Sequence, residues 1–179
     1  VTIKGNKAKG YGGGVYSHGI FIFTGGTIEG NQITNPLSKM GTGIFSENSG
    51  ETLEMSGNAY VANDNDIHLS DNSVVKITGA LSNNPVARIT PETYGTTTQV
   101  LLAGTGVTLA NETYKFAVTP QIVSGTPQPW TVGGNGCLKQ GRYTEVPYDR
   151  LEAYLANASA TEVNYIEVTG IPVGDFSKV

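Results

Sequence analysis

Short stretches in which apolar and polar residues alternate recur through the first ninety residues. Phe21-Ile22-Phe23-Thr24-Gly25, Leu53-Glu54-Met55-Ser56-Gly57 and Val75-Lys76-Ile77-Thr78-Gly79 can be written over one another. The first and third positions are apolar, and Ile22, Glu54 or Lys76 stands between them. That is the period of two expected of a half-buried strand. A second column precedes each stretch: Val15-Tyr16-Ser17, Ile44-Phe45-Ser46 and Ile67-His68-Leu69, with Val15, Ile44 and Ile67 facing inward and Tyr16, Phe45 and His68 outward. Each middle strand closes on a glycine, which allows the positive φ that a corner between strands often needs. Gly25 and Gly57 are 32 residues apart, Gly57 and Gly79 are 22 apart. A coil of about 22 residues built from short strands predicts a parallel β-helix, each coil one rung. The ten extra residues of the second coil map to residues 32–42, a loop inserted at a corner. Asn31 and Asn63, six residues after their corner glycines, are expected to stack as an asparagine ladder.

Composition narrows the picture. The 179 residues include 24 glycines, 38% are hydrophobic and only 15% are charged, against roughly a quarter charged in an average globular domain. Such a chain can fill a core. A net charge of −4 and a pI near 5.1 give no electrostatic reason to expect nucleic acid. Cys137, the single cysteine, excludes an internal disulfide and a CxxC metal site. No apolar run is long enough for a membrane-spanning helix. The sequence opens Val-Thr-Ile without a leader pattern, and is therefore expected to be a piece of a longer chain whose export signal lies upstream.

Gly12-Gly13-Gly14-Val15-Tyr16, followed by Phe23-Thr24-Gly25-Gly26-Thr27-Ile28-Glu29-Gly30-Asn31, resembles the Gly-rich right-handed parallel β-helix repeats of bacterial surface proteins of the treponeme and gut-bacterial type. Asn65-Asp66-Ile67-His68-Leu69 with Val75-Lys76-Ile77 looks like the closing coil of such arrays. The resemblance covers roughly residues 10–140. Autotransporter and polymorphic outer-membrane passengers are a more distant comparison. Their FxxN element is matched only by Phe45-Ser46-Glu47-Asn48, and their GGAI element is absent. The resemblance implies an exported protein at the bacterial cell surface or outside the cell, engaged in display, spacing or adhesion to host glycan or extracellular protein.

Beyond Pro85 the repeat decays. Strands are expected at residues 86–90, 98–102 and 114–118. A hairpin is expected where residues 130–132 and 137–139 flank Gly133-Gly134-Asn135-Gly136, Asn-Gly being a favoured tight-turn pair. Such a hairpin would cover an otherwise open strand edge. Leu151, Tyr154, Leu155 and Ala158 fall at helical spacing, and residues 164–169 read as a strand. The predicted fold is thus mostly β: a short right-handed parallel β-helix over residues 1–94, a hairpin-rich cap over 95–142, and a helix–strand tail over 143–179 that opens a following domain or linker.

Candidate chemistry is sparse. His18 and His68 are the two histidines, too few for a zinc site of three or four converging ligands, and no Gly-x-Ser-x-Gly elbow is present. Asp64, Asp66 and Asp71 are the carboxylates that a calcium ion would use; Asp and Asn also occupy corners simply to satisfy backbone N–H groups. Gly10–Gly14 leads into a strand, whereas a phosphate cradle needs a helix N-terminus. The expectation is a non-catalytic segment without a cofactor, with Gln32, Asn35, Ser38 and Lys39 of the inserted loop as recognition residues. A polysaccharide lyase or hydrolase on the same fold, and a ligand-free spacer, are the alternatives.

Overall fold

The computed structural model describes residues 1–35, 37, 40–47, 53–158 and 165–172. Its chain winds through about six turns of a parallel β-solenoid. One five-stranded sheet contains Thr2–Lys4, Phe21–Glu29, Leu53–Val61, Val75–Leu81 and Leu101–Ala103, in that spatial order. The facing sheet contains Val15–Ser17, Ile44–Ser46, Ile67–Leu69, Ala87–Pro91 and Phe116–Val118. Every neighbouring pair in both sheets is parallel. A third, narrower side is made where Lys7–Ala8 pairs with Gln32–Ile33 and Tyr11 bridges Met40.

The repeat columns are the register. Phe21 pairs with Leu53, Leu53 with Val75, and Val75 with Leu101. In the facing sheet Val15, Ile44, Ile67, Ile89 and Val118 follow one another. Most of these side chains lie in a single core between the sheets, with Leu53, Met55, Val75, Ile77, Ile44, Ile67 and Ile89 fully buried. The Gly12–Gly14 run is needed because the next coil passes against it. A Cβ on Gly13 would stand 2.3 Å from the Thr42 carbonyl oxygen. The run is a backbone-to-backbone corner.

An asparagine ladder exists, with a different second member. Asn31 Nδ2 donates to Asn65 Oδ1 (3.0 Å), and Asn65 Nδ2 returns a bond to the Asn31 carbonyl (2.9 Å). Asn6 adds a third rung, its N–H and Nδ2 both donating to Asn31 Oδ1. Asn63 is exposed. Irregularities in pairing cause the shift. Phe23 pairs with Met55, 32 residues on, but from Gly25 onward the offset is 33, and at the ladder it has become 34. A ladder position counted from the corner glycine therefore falls short.

The solenoid also runs past the expected boundary at residue 94. Leu101–Ala103 pairs with the Val75 strand and Phe116–Val118 with the Ala87 strand, so the first part of the region expected to be cap carries solenoid strands. The hairpin of Trp130–Val132 with Leu138–Gln140 is antiparallel, as expected. It closes the stack through Gln99, which bridges Cys137, and through Leu138 N–H donating to the Thr98 carbonyl. In the tail a 3-10 turn, Tyr148–Arg150, leads into the helix Leu151–Asn157, and Thr144–Pro147 pairs in parallel with Ile166–Thr169. Val146 and Leu151 pack on Tyr114. The tail is thereby docked on the last described coil.

Candidate functional site

The outward column of the shorter-stranded sheet is where this fold gathers chemistry. Strand alternation points Tyr16, Phe45, His68 and Thr90 away from the core, one per coil, and parallel pairing sets them in line. The rings stack. Tyr16 lies over Phe45 at 5.6 Å between centroids and 7° between planes, and Phe45 over His68 at 5.2 Å and 12°. Tyr11, from the glycine-rich corner, leans on Phe45 at 4.8 Å and on Tyr16 at 6.5 Å. Beyond His68 the column turns polar. Thr90 Oγ1 lies 2.7 Å from Thr119 Oγ1 and donates to Asp66 Oδ2 at 2.7 Å.

Exposure divides this column. Phe45 and His68 are only 6% and 5% exposed, whereas Tyr11 and Tyr16 are 49% and 50% exposed. His68, expected on the outside of its strand, is so placed yet covered, because Phe45 lies on its ring and Glu92 Oε2 lies 2.9 Å from its Nε2. Its Nδ1 is buried with no hydrogen-bond partner. Neither ring nitrogen is therefore offered to a substrate at the surface. Val15–Ser17 is the edge strand of its sheet, so Tyr16 ends the ring stack. The Tyr16 hydroxyl donates to Glu47 Oε2.

The expected recognition loop begins beside these rings. Gln32 lies in the strand pair with Lys7, and its N–H donates to the Asn6 carbonyl. Asn35 Oδ1 accepts from the Leu37 N–H at 3.0 Å, so this side chain holds a local turn and Leu37 is carried out at 94% exposure. Ser38 and Lys39 lie outside the described residues. The excursion returns at Met40, opposite Tyr11. Sequence reasoning placed Tyr16, Phe45 and His68 in one outward column but did not single out Tyr11 and Tyr16 as a surface. The signal that could have found them is the aromatic run down an outward column, where polar residues are the norm.

The three calcium candidates do not converge. Asp64 Oδ2 accepts from the Gly30 N–H (2.9 Å), Asp66 Oδ1 from the Thr42 N–H and hydroxyl (both 2.7 Å), and Asp71 Oδ1 from the Thr93 hydroxyl (2.7 Å). These carboxylates tie coil to coil. Among the described residues no three His, Cys, Asp or Glu side chains are grouped to hold a metal ion. His18 is exposed at a corner.

Three clefts of about 430, 420 and 440 Å³ lie beside Thr78 and Arg150, at the hairpin tip by Gly134, and between Arg88 and Tyr154. Their near-equal volumes give no reason to prefer one of them. No helix among the described residues is long and apolar enough to cross a membrane. Comparison with models of protein families, with curated proteins and with solved structures gave no match.

Proposed function

We propose that this chain is a non-catalytic binding segment of an exported bacterial surface protein, working by adhesion across the side of its solenoid. The observation that carries this reading is the half-exposed pair Tyr11 and Tyr16 at the end of the ring stack. Rings held in place by stacking, at the surface, provide contact area with little loss of side-chain freedom on binding. The excursion that starts at Gln32 and returns at Met40 borders the same rings, which sets a loop beside a platform held by stacking. The clefts beside Thr78, Gly134 and Arg88 are partly open to solvent and similar in size, which suits distributed contacts better than turnover in an enclosed site. The resemblance of the Gly-rich coils to bacterial surface repeats supports the location outside the cell.

Two measurements test the reading together. Protease treatment of intact native cells should remove the protein, and the 179-residue chain should bind host-cell surfaces. Recovery of the native protein only from the cytoplasm would discard the surface location. Absence of cell binding would leave a spacer.

A further inference from the structure

The first coil carries an unusual charge distribution. Residues 1–28 contain Lys4, Lys7 and Lys9 and no Asp or Glu, although the whole chain has 15 acidic against 11 basic side chains. Lys4 is paired with Glu29 at 2.8 Å. Lys7 and Lys9 are exposed, and no ion pair holds either among the described residues. Both lie on the chain segment that runs into Tyr11, and Lys7 is paired with Gln32 at the root of the loop. Among the described residues, Glu47 is a carboxylate against the exposed rings, and it accepts from the Tyr16 hydroxyl.

We infer that the Tyr11–Tyr16 surface, with Lys7 and Lys9, binds acidic glycans: sugar rings on the tyrosine rings and a sugar carboxylate at the lysines. This rests on the adhesion reading above and names its ligand class. Charge complementarity selects an anion. Ring faces select a flat, partly apolar ligand, and the C–H face of a pyranose has that character. The same features would meet a single-stranded nucleic acid. However, a closely spaced polyanion would also meet the chain's net charge of −4, whereas an oligosaccharide with sparse carboxylates engages only the local lysines. A second copy of the chain is disfavoured at this surface, because its own lysines would face Lys7 and Lys9.

The test is titration of the 179-residue chain with hyaluronan hexasaccharide, 3′-sialyllactose, uncharged lactose and a single-stranded oligonucleotide, followed by calorimetry or by tyrosine resonances. At least one acidic sugar should bind at least about tenfold more tightly than lactose, and its affinity should fall with added salt. Lys7→Gln with Lys9→Gln should remove most of that preference, and Tyr11→Ala should weaken binding about tenfold or more. Tyr16→Phe keeps the ring and frees Glu47, and should retain binding of lactose-type rings. Unchanged melting temperature in the lysine variant separates lost contact from lost fold. Equal binding of lactose, preference for the oligonucleotide, or acidic-sugar binding unaffected by the lysine variant would overturn the inference. If neither acidic sugar binds while host cells still do, this ligand assignment fails and the adhesion reading survives.

Discussion

At the residue scale, Asn65 shows how one buried amide ties its own coil to the one before it. Its side chain accepts from both nitrogens of Asn31 and donates to the carbonyls of Asn31 and Asp64. Asn31 and Asn65 are almost fully buried. Removing Asn65 takes from the buried Asn31 N–H its acceptor and leaves Asn31 Nδ2 with the Ile3 carbonyl alone. Asn65→Ala should therefore cost about 2–4 kcal/mol in equilibrium denaturation. Asn63→Ala, at an exposed position, should change stability by less than about 0.5 kcal/mol. Equal effects would remove the ladder from the account. That asparagines follow the corner was legible in the sequence; which asparagine was not. A bulge adds a residue without leaving a mark in the alternation pattern. The core columns had no such trouble, since Phe21, Leu53 and Val75 precede the bulges. Leu53→Asp should abolish cooperative unfolding, since it places an unpaired charge in the core. Glu54→Ala should cost no more than about 1 kcal/mol, because its partner Lys76 is partly in solvent.

At the element scale, the hairpin and the tail are tied by one ionic group. Lys139 reaches Glu145 and Glu167, each at 2.7 Å, and Glu145 also accepts from the Gly134 N–H at 2.7 Å. The hydrogen bond from Lys139, helped by that from Gly134, holds the Glu145 carboxyl below its ordinary 4.5 despite partial burial. The hydrogen bonds to Glu145 and Glu167 raise Lys139 above its ordinary 10.5. A depressed carboxyl contributes stability above its unfolded pKa and loses it as pH falls through the folded one. A raised ammonium contributes below its unfolded pKa and loses it as pH rises through the folded one. The protection of the Ile166–Thr169 amides against hydrogen exchange, taken relative to the exchange rate of the unfolded chain at the same pH, should thus be greatest between about pH 5 and 10 and fall on both sides. Glu145→Gln should blunt the acid limb. An acid limb unchanged in that variant would show that other carboxylates govern the docking. The hairpin was legible because Gly133-Gly134-Asn135-Gly136 punctuates two apolar runs. Coil strands at Leu101–Ala103 and Phe116–Val118 were not recognisable as rungs. Leu101–Ala103 has three residues where Phe21–Glu29, Leu53–Val61 and Val75–Leu81 in its sheet have nine, nine and seven, and a helical turn, Ala110–Thr113, separates it from Phe116–Val118. Too few alternating positions remain to fix a register.

At the scale of the whole molecule, the solenoid is a poor way to gain length. Five stacked strands at about 4.8 Å spacing span roughly 19 Å, a distance that a helix covers in about 13 residues at 1.5 Å each. What these coils supply is breadth: flat sides on which one residue per coil repeats in line. That favours a surface over a spacer, and it makes the treatment of the two ends informative. One end is closed by the antiparallel hairpin through Gln99 and Leu138. At the other, Thr2–Lys4 and Val15–Ser17 are edge strands of their sheets within these 179 residues, and in a chain of that extent an unpaired edge is a template for another chain. Lys4, Lys7 and Lys9 stand at this end, and edge lysines oppose such pairing by charge. Replacing all three by threonine, which suits strands and carries no charge, should make the 179-residue chain self-associate at concentrations where the parent sediments as a monomer. Lys76→Thr, on an interior strand of its sheet, should leave sedimentation unchanged. Association of the parent to the same extent as the triple variant would mean that the lysines do not guard this edge.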